Sequence, residues 1–299
     1  MVYHIPALLD ESVDGLNIRP GGVYVDATFG GGGHSAKILK SLGNGKLIAF
    51  DTDEDALRNV IDDKRLILLN QNFRFLKNNL RFLGLNHADG IIADLGVSFH
   101  QFDEPSRGFS FREDSVLDMR MSRNIPVTAA DLLNSMDEEK LAGIFSTYGE
   151  LPAARKIARS IVKARMTEPV NTTSALIGCV GHLIPQGHRS KYLARLYQAL
   201  RIAVNDELGA LKDLLLQSAE VLVKGGRLVI ITYHSLEDRL VKNFMKAGNF
   251  TGEVNKDFYG KPVTVFRQVN RKVLTPGNDE IERNSRCRSA RLRIAEKII

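Results

Sequence analysis

Short apolar runs that end in an acid recur through the first third of the chain, with amphipathic stretches between them. Residues 23–26, Val-Tyr-Val-Asp, are β-branched or aromatic up to the acid and predict a strand. Gly30 to Gly33 follow, and helical spacing then predicts a helix over residues 36–42, closed by Gly43-Asn44-Gly45. The same reading predicts strands at 46–50, 65–69 and 91–94, with helices at 54–61 and 73–83. Strands alternating with helices imply an α/β fold with a doubly wound parallel sheet and right-handed crossovers.

From about Asp103 the rhythm changes. Residues 107–123 are rich in Arg, Phe and Met without a strand period and predict a structured loop. Ser135-Met136-Asp137-Glu138 resembles a capping box opening a helix through Phe145. Pro152 suits a first helical position, for a helix to about Ala164, and Thr172 or Thr173 opens another that ends before Pro185. Residues 192–222 carry a long helical period with a kink expected near Asn205-Asp206, broken by Lys224-Gly225-Gly226. A strand at 227–233, a helix at 236–245 and a closing strand at 291–295 follow, with an irregular loop over 251–284. The expected organisation is a first part of the sheet domain at 1–106, an inserted all-helical domain at 107–197, and its second part at 198–299.

Composition narrows the class. Of 299 residues, 43% are hydrophobic and 25% charged, which is enough apolar material for a sizeable core. Lys plus Arg exceed Asp plus Glu by six, a surplus that suits an anionic partner if the cations cluster. The two cysteines, Cys179 and Cys287, exclude a disulfide framework and a cysteine-rich zinc site; no metal is expected. The first ten residues lack the pattern of a signal peptide, and no apolar run approaches the roughly 20 residues that span a bilayer. The expectation is a cytoplasmic protein with no membrane partner, monomer or homodimer.

In a doubly wound sheet, ligands bind outside the carboxyl ends of the strands, where Gly30 to His34, Asp51 and Asp94 fall. Amides at the start of the helix after the glycines point at such a ligand. Asp51, about 20 residues past the glycine turn, suits the two hydroxyls of an adenosine ribose, a geometry shared by dinucleotides and S-adenosylmethionine. The glycine spacing weakens the dinucleotide reading without excluding it: the sixth position is Ser35 counted from Gly30, and Ala36, which the permissive form of the pattern allows, counted from Gly31. Asp26, closing the first strand, suits a sulfonium and amino group better than a pyrophosphate. An oxidoreductase using NAD stays open as an alternative.

Several blocks go further. Residues 23–35 resemble the Y-V-D-x-T-x-G-x-G-G-H-S signature of the ribosomal RNA small-subunit methyltransferase H family, also called MraW. The resemblance continues in Asp94-Leu95-Gly96-Val97-Ser98, Arg107-Gly108-Phe109-Ser110-Phe111, residues 117–121, residues 198–205, His234-Ser235-Leu236-Glu237-Asp238-Arg239 and Arg288-Ser289-Ala290, in order along almost the whole chain. It implies a class I, Rossmann-like methyltransferase with a helical insert. The implied reaction moves a methyl group from S-adenosylmethionine, leaving S-adenosylhomocysteine, to the exocyclic N4 of a cytidine in the decoding region of 16S rRNA, within the small ribosomal subunit. The family's cofactor positions fall on Gly32, Gly33, His34, Asp51, Phe73, Asp94 and Gln101. Two positions depart from its pattern: Ser98-Phe99-His100-Gln101 replaces Ser-Ser-Pro-Gln, and Leu151 stands where a second glutamate usually follows Glu150.

A cytosine amino group is a poor nucleophile, so a site must accept its protons and hold the nitrogen in line with the methyl carbon. Asp94 is the candidate for that task. His234 is a candidate for taking the released proton, with capping of the following helix as the competing role. Amino-methyltransferases often carry an aromatic just after such an acid; here Tyr233 or Phe109 has to supply the stacking surface. For RNA, the helix bearing Arg155, Lys156, Arg159, Lys163 and Arg165 opposite Ile157, Ile161 and Val162 offers a basic face. Arg107 and Arg112, interleaved with Phe109 and Phe111, offer charge and stacking, and the arginines of residues 283–293 suit phosphate contacts or support of the last strand. A non-catalytic RNA-binding assembly factor is the remaining alternative.

Overall fold

In the computed structural model, which describes residues 6–260, 263–270 and 272–299, the apolar runs become strands whose spatial order differs from their order in sequence. They are β1 (Val23–Asp26), β2 (Lys46–Phe50), β3 (Leu66–Leu69), β4 (Ala88–Asp94), β5 (Leu222–Thr232), β6 (Phe266–Gln268) and β7 (Arg291–Lys297). The sheet runs β3-β2-β1-β4-β5-β7-β6. β1 to β5 pair in parallel, whereas β7 is antiparallel to both β5 and β6. This is the class I, Rossmann-like methyltransferase arrangement, with the order reversing between β1 and β4, where a crevice opens at the carboxyl ends.

Both faces are covered, which is why the strands read as unbroken apolar runs. Val25, Ile91, Leu228 and Ile230 pack on one side with Leu211, Leu214, Val241 and Phe244. Their neighbours Tyr24, Ile92, Val229 and Ile231 pack on the other with Val13, Leu16, Ile38 and Leu42. Among the described residues, no helix is long and apolar enough to cross a membrane.

The chain divides into two compact units, one of Met1–Gly96 and Leu208–Ile299, the other of Val97–Glu207. The second is ten residues wider at each end than the 107–197 read from the sequence. Helix Arg189–Asn205 accounts for the far end, because Leu193, Leu196, Ala199 and Leu200 are part of that unit's core. The remaining helices of this unit include Ala129–Ser135, Glu138–Thr147, Ala154–Arg165 and Thr173–Val180.

Several local expectations need correction. Residues 54–59 form a 3-10 helix rather than an α-helix, since only Ala56 of that stretch is buried and little apolar surface holds a longer one. The cap of Glu138–Thr147 is Asp137, which accepts from the Lys140 N–H at 2.8 Å; Ser135 ends the preceding helix. Asp206, at φ 47°, does part the two long helices where the kink was expected. Gly225-Gly226, however, breaks no helix. The helix ends at Val221, and the glycines form a bulge in β5, where Ala88 faces Leu222 but Gly90 faces Arg227.

Residues 107–123 form a pinned loop. Met119 N–H donates to the Arg107 carbonyl, Leu117 N–H to Asn171, and Asn205 clamps the loop through the Met121 N–H and the Met119 carbonyl, each at 2.7 Å. Gly108 sits in this turn at φ +69°, where a Cβ would lie 2.2 Å from the Val116 carbonyl oxygen and 2.9 Å from the Asp118 nitrogen. Gly108→Ala is therefore expected to cost about 2–4 kcal/mol, through left-handed strain plus a backbone clash. Gly143→Ala, in open space inside the helix Glu138–Thr147, should instead stabilise by roughly 0.5–1 kcal/mol. Urea unfolding of both variants checks the pair; equal midpoints would contradict it.

Candidate active site

Register brings acids to one edge of the sheet. Asp26, the last residue of β1, lies beside Ala49 of β2 and Ile92 of β4; two residues later come Asp51, just past the end of β2, and Asp94, the last residue of β4. Asp51 joins the edge to the glycine corner, with Oδ2 accepting from the Gly30 N–H at 2.7 Å and Oδ1 from the Asp53 N–H at 2.8 Å. Capping of the 3-10 helix falls to Asp53, not to Asp51. Asp26 accepts from the Ser35 hydroxyl at 2.7 Å and the Thr28 N–H at 3.1 Å, and the Thr28 hydroxyl accepts from the Asp94 N–H at 2.7 Å.

The glycines divide their tasks. Gly30 and Gly32 adopt positive φ, 52° and 75°, and a Cβ on Gly30 would meet nothing within 4 Å. That opening is where a ligand can approach the main chain. Gly33 is small for another reason: a Cβ there would lie 2.5 Å from the Pro6 ring. The helix Gly33–Ser41 begins here, and His34 in its first turn is buried, with an Nε2 that has no hydrogen-bond partner. Burial lowers its pKa to about 4, so it is neutral at pH 7. Phe73 opens a short 3-10 turn after β3 and packs partly buried against the sheet core.

Burial pushes Asp26 and Asp51 up to about 6 and Asp94 to about 7. The Asp26 charge adds to the rise at both other acids. The Tyr233 hydroxyl donates to Asp94 Oδ1 at 2.8 Å and works against the rise. Tyr233 is held in turn by Glu237 Oε2, which accepts its backbone N–H at 2.9 Å. The aromatic missing beside Asp94 in sequence thus arrives from the end of β5, and a Cβ on Gly96 would come within 3.6 Å of its ring.

His234 is the cap of helix Ser235–Ala247, its Nδ1 accepting from the Glu237 N–H at 3.4 Å. Of the two roles weighed for it, the structure displays the capping one. In the second unit, Gln101 is buried; its side chain closes a capping box with Ser98 and donates to the Met121 carbonyl at 3.3 Å. Arg107 and Phe109 correct the expectation of surface contacts. The Arg107 guanidinium is buried and donates to the carbonyls of Arg120 and Met121, while Phe109 belongs to the helical core. Arg112, Arg155 and Arg159 are exposed, Arg159 lying 3.2 Å from Glu138. Arg165 leaves the basic face to cap the Leu133 carbonyl at 2.7 Å.

Thr28, Ser35 and Glu237 lie inside the signature blocks, but the sequence reading gave them no role in the site. The partners of Thr28 and Glu237, Asp94 and the Tyr233 backbone, are set by the fold or by a cap.

The raised Asp26 fixes a sign. The folded chain holds a proton on Asp26 more tightly than the unfolded chain does, so its contribution falls as pH rises from about 4 through about 6. Relative to Asp26→Asn, the wild type should lose about 3 kcal/mol across that interval and nothing further above it. Urea unfolding at half-unit pH steps measures the difference; a constant offset would refute the desolvated acid.

Residues 1–298 match the MraW methylase family. The ribosomal RNA small subunit methyltransferase H of Phocaeicola vulgatus is 53% identical over 297 residues, covering 99% of this chain and 98% of its own length. Its namesake in Bacteroides fragilis is 54% identical over 296 residues, 99% of this chain and 97% of its own. That of Flavobacterium johnsoniae is 54% identical over 299 residues, 100% and 99% of the two chains. With the acid-lined edge, the glycine corner and a match running nearly from end to end, the chain belongs to the MraW methylase family.

Proposed function

We propose that this protein methylates the exocyclic N4 of a cytidine in the decoding region of 16S rRNA, using S-adenosylmethionine and acting on the small ribosomal subunit. The observation that carries the reading is the Asp94–Tyr233 pair at the end of β4, beside the acids of β1 and β2. Its support is chemical. Three carboxyls that burial pushes upward, Asp51 and Asp94 further raised by the Asp26 charge, suit a ligand bearing a sulfonium and an ammonium, and disfavour the pyrophosphate of NAD. The relatives carry rRNA methyltransferase names.

Residues present fit the cofactor. Gly30 leaves the corner open, Asp51 retains lone pairs for ribose hydroxyls, and the buried His34 Nε2 makes no hydrogen bond within the protein. Phe73 supplies apolar surface after β3. When bound, S-adenosylmethionine supplies an electrophilic methyl carbon. Asp94 accepts a hydrogen bond from the cytosine amino group, which orients the nitrogen lone pair and restores its nucleophilicity. Asp94 would take the amino proton released by the transfer, and its pKa near 7 suits a base that later gives it to water. Tyr233 keeps the Asp94 carboxylate oriented and offers a ring edge to the base; its own pKa, raised well above 10 by burial, keeps its hydroxyl a donor. His234, committed to its cap, has no part in this scheme. Arg155, Arg159 and Arg112 give the second unit exposed cations for rRNA phosphates.

Transfer of labelled methyl to small subunits from a strain lacking the enzyme, followed by nucleoside analysis, tests the reading. Label in N4-methylcytidine is expected; cofactor and RNA binding without transfer would favour the assembly-factor alternative. Asp94→Ala should lower kcat at least 100-fold. Tyr233→Phe removes the donor that holds the Asp94 pKa down, so the acid limb of the rate profile should move to higher pH. An unmoved limb would separate Tyr233 from Asp94. Arg155→Ala with Lys163→Ala should flatten the salt dependence of RNA binding by about 1.4 in log–log slope, at roughly 0.7 per lost charge.

A further inference from the structure

Bordered by Tyr233, the first unit holds a cleft of about 320 Å³ that the transfer chemistry leaves unused. Its lining includes Tyr233, Ser235, Thr275, Arg288, Ser289 and Arg291. The lining therefore includes two arginines and four hydroxyl-bearing residues, of which Tyr233 gives its hydroxyl to Asp94, and no acidic residue. Arg291 is shared: its Nη1 lies 3.2 Å from Asp238 Oδ2. That carboxylate is satisfied mainly by Arg293, through bonds of 2.7 and 3.0 Å. Arg288 is exposed and has no ion-pair partner among the described residues.

Two further features face the cleft. The 13-residue helix Ser235–Ala247 begins at it, presenting the positive end of its dipole. His234 also lines it, with a side chain only 10% exposed. Its Nε2 is closed off from solvent and makes no hydrogen bond, though Glu237 Oε1 lies 3.1 Å away. An oxyanion in the cleft would meet the Arg288 and Arg291 guanidinium groups and the Ser235, Ser289 and Thr275 hydroxyls, the mixture that suits a phosphate.

We propose that this cleft is a phosphate subsite, seating a backbone phosphate of the RNA next to the nucleotide being methylated. The identity of the phosphate bearer rests on the methylation reading; the oxyanion chemistry does not. Tyr233 joins the two places, because it borders the cleft while its hydroxyl holds Asp94. A phosphate held here fixes the sugar–phosphate backbone beside the carboxyl that engages the base, and so contributes to positioning as well as affinity.

The test uses the full chain, a labelled cytidine-containing single-stranded RNA, inorganic phosphate as competitor, and two variants. Arg288→Gln removes the unpaired guanidinium; Lys246→Gln removes an exposed charge in the last turn of helix Ser235–Ala247 and serves as the control. Thermal unfolding of both should match the wild type. Arg288→Gln is expected to weaken RNA binding at least five-fold at low salt and to reduce the log–log salt slope by about 0.7. Phosphate should compete with RNA in the wild type and in Lys246→Gln but far less in Arg288→Gln. With small subunits, Arg288→Gln should raise KM with little change in kcat, and its affinity for S-adenosylmethionine should equal that of the wild type. Equal salt slopes and equal phosphate competition in the two variants would overturn the subsite. Phosphate competition lost with RNA affinity unchanged would make the cleft a small-anion site and overturn its RNA role. A wild type that transfers no methyl group, yet shows the Arg288 effect on RNA, would sink the methylation reading and leave the subsite standing.

Discussion

Carboxylates withdrawn from water at the ends of neighbouring parallel strands are the constraint on which the site depends. A parallel sheet covered on both faces leaves its carboxyl edge in the crevice, and β1, β2 and β4 each deliver an aspartate there. Desolvation raises all three, so each is held by donors that favour its charged form: amides of Gly30 and Asp53 for Asp51, Ser35 and Thr28 for Asp26, Tyr233 for Asp94. The glycine corner, the turn after β2 and the end of β5 are shaped by this need. A ligand with positive charge completes what the protein's own dipoles only partly supply.

Arginine illustrates how far composition falls short of placement. The net surplus of six describes no surface by itself. Arg107 spends its donors on buried carbonyls, Arg120 pairs with Asp118, Arg165 caps a helix end, and Arg293 is bound to Asp238. These cations hold loops and termini in place. Among those left exposed, Arg112, Arg155 and Arg288 carry the anion chemistry proposed for each unit.

The strands of the sheet were legible because burial on both faces leaves a continuous apolar run bounded by turns. The break at Asp206 was legible too, from a periodic stretch too long for one helix. β6 was not, being three residues long and dependent on β7 for its pairing. Gly225-Gly226 misled because a glycine pair that ends a helix and one that forms a bulge read alike; only the register against β4 separates them. Phe109 and Arg107 misled because an aromatic and a cation in a loop look available until the loop is folded over a core.

What the sequence determined by itself was the alternation of strands and helices, the glycine corner, the acids closing the strands, and the family, since these are written in local pattern and in ordered blocks. Tertiary structure alone decided which aromatic reaches Asp94, that Arg107 and Phe109 are buried, and which arginines remain exposed. Those outcomes depend on contacts between residues as much as 139 positions apart, as for Tyr233 and Asp94, where burial and hydrogen-bond geometry, not chain proximity, set each group's charge and partner.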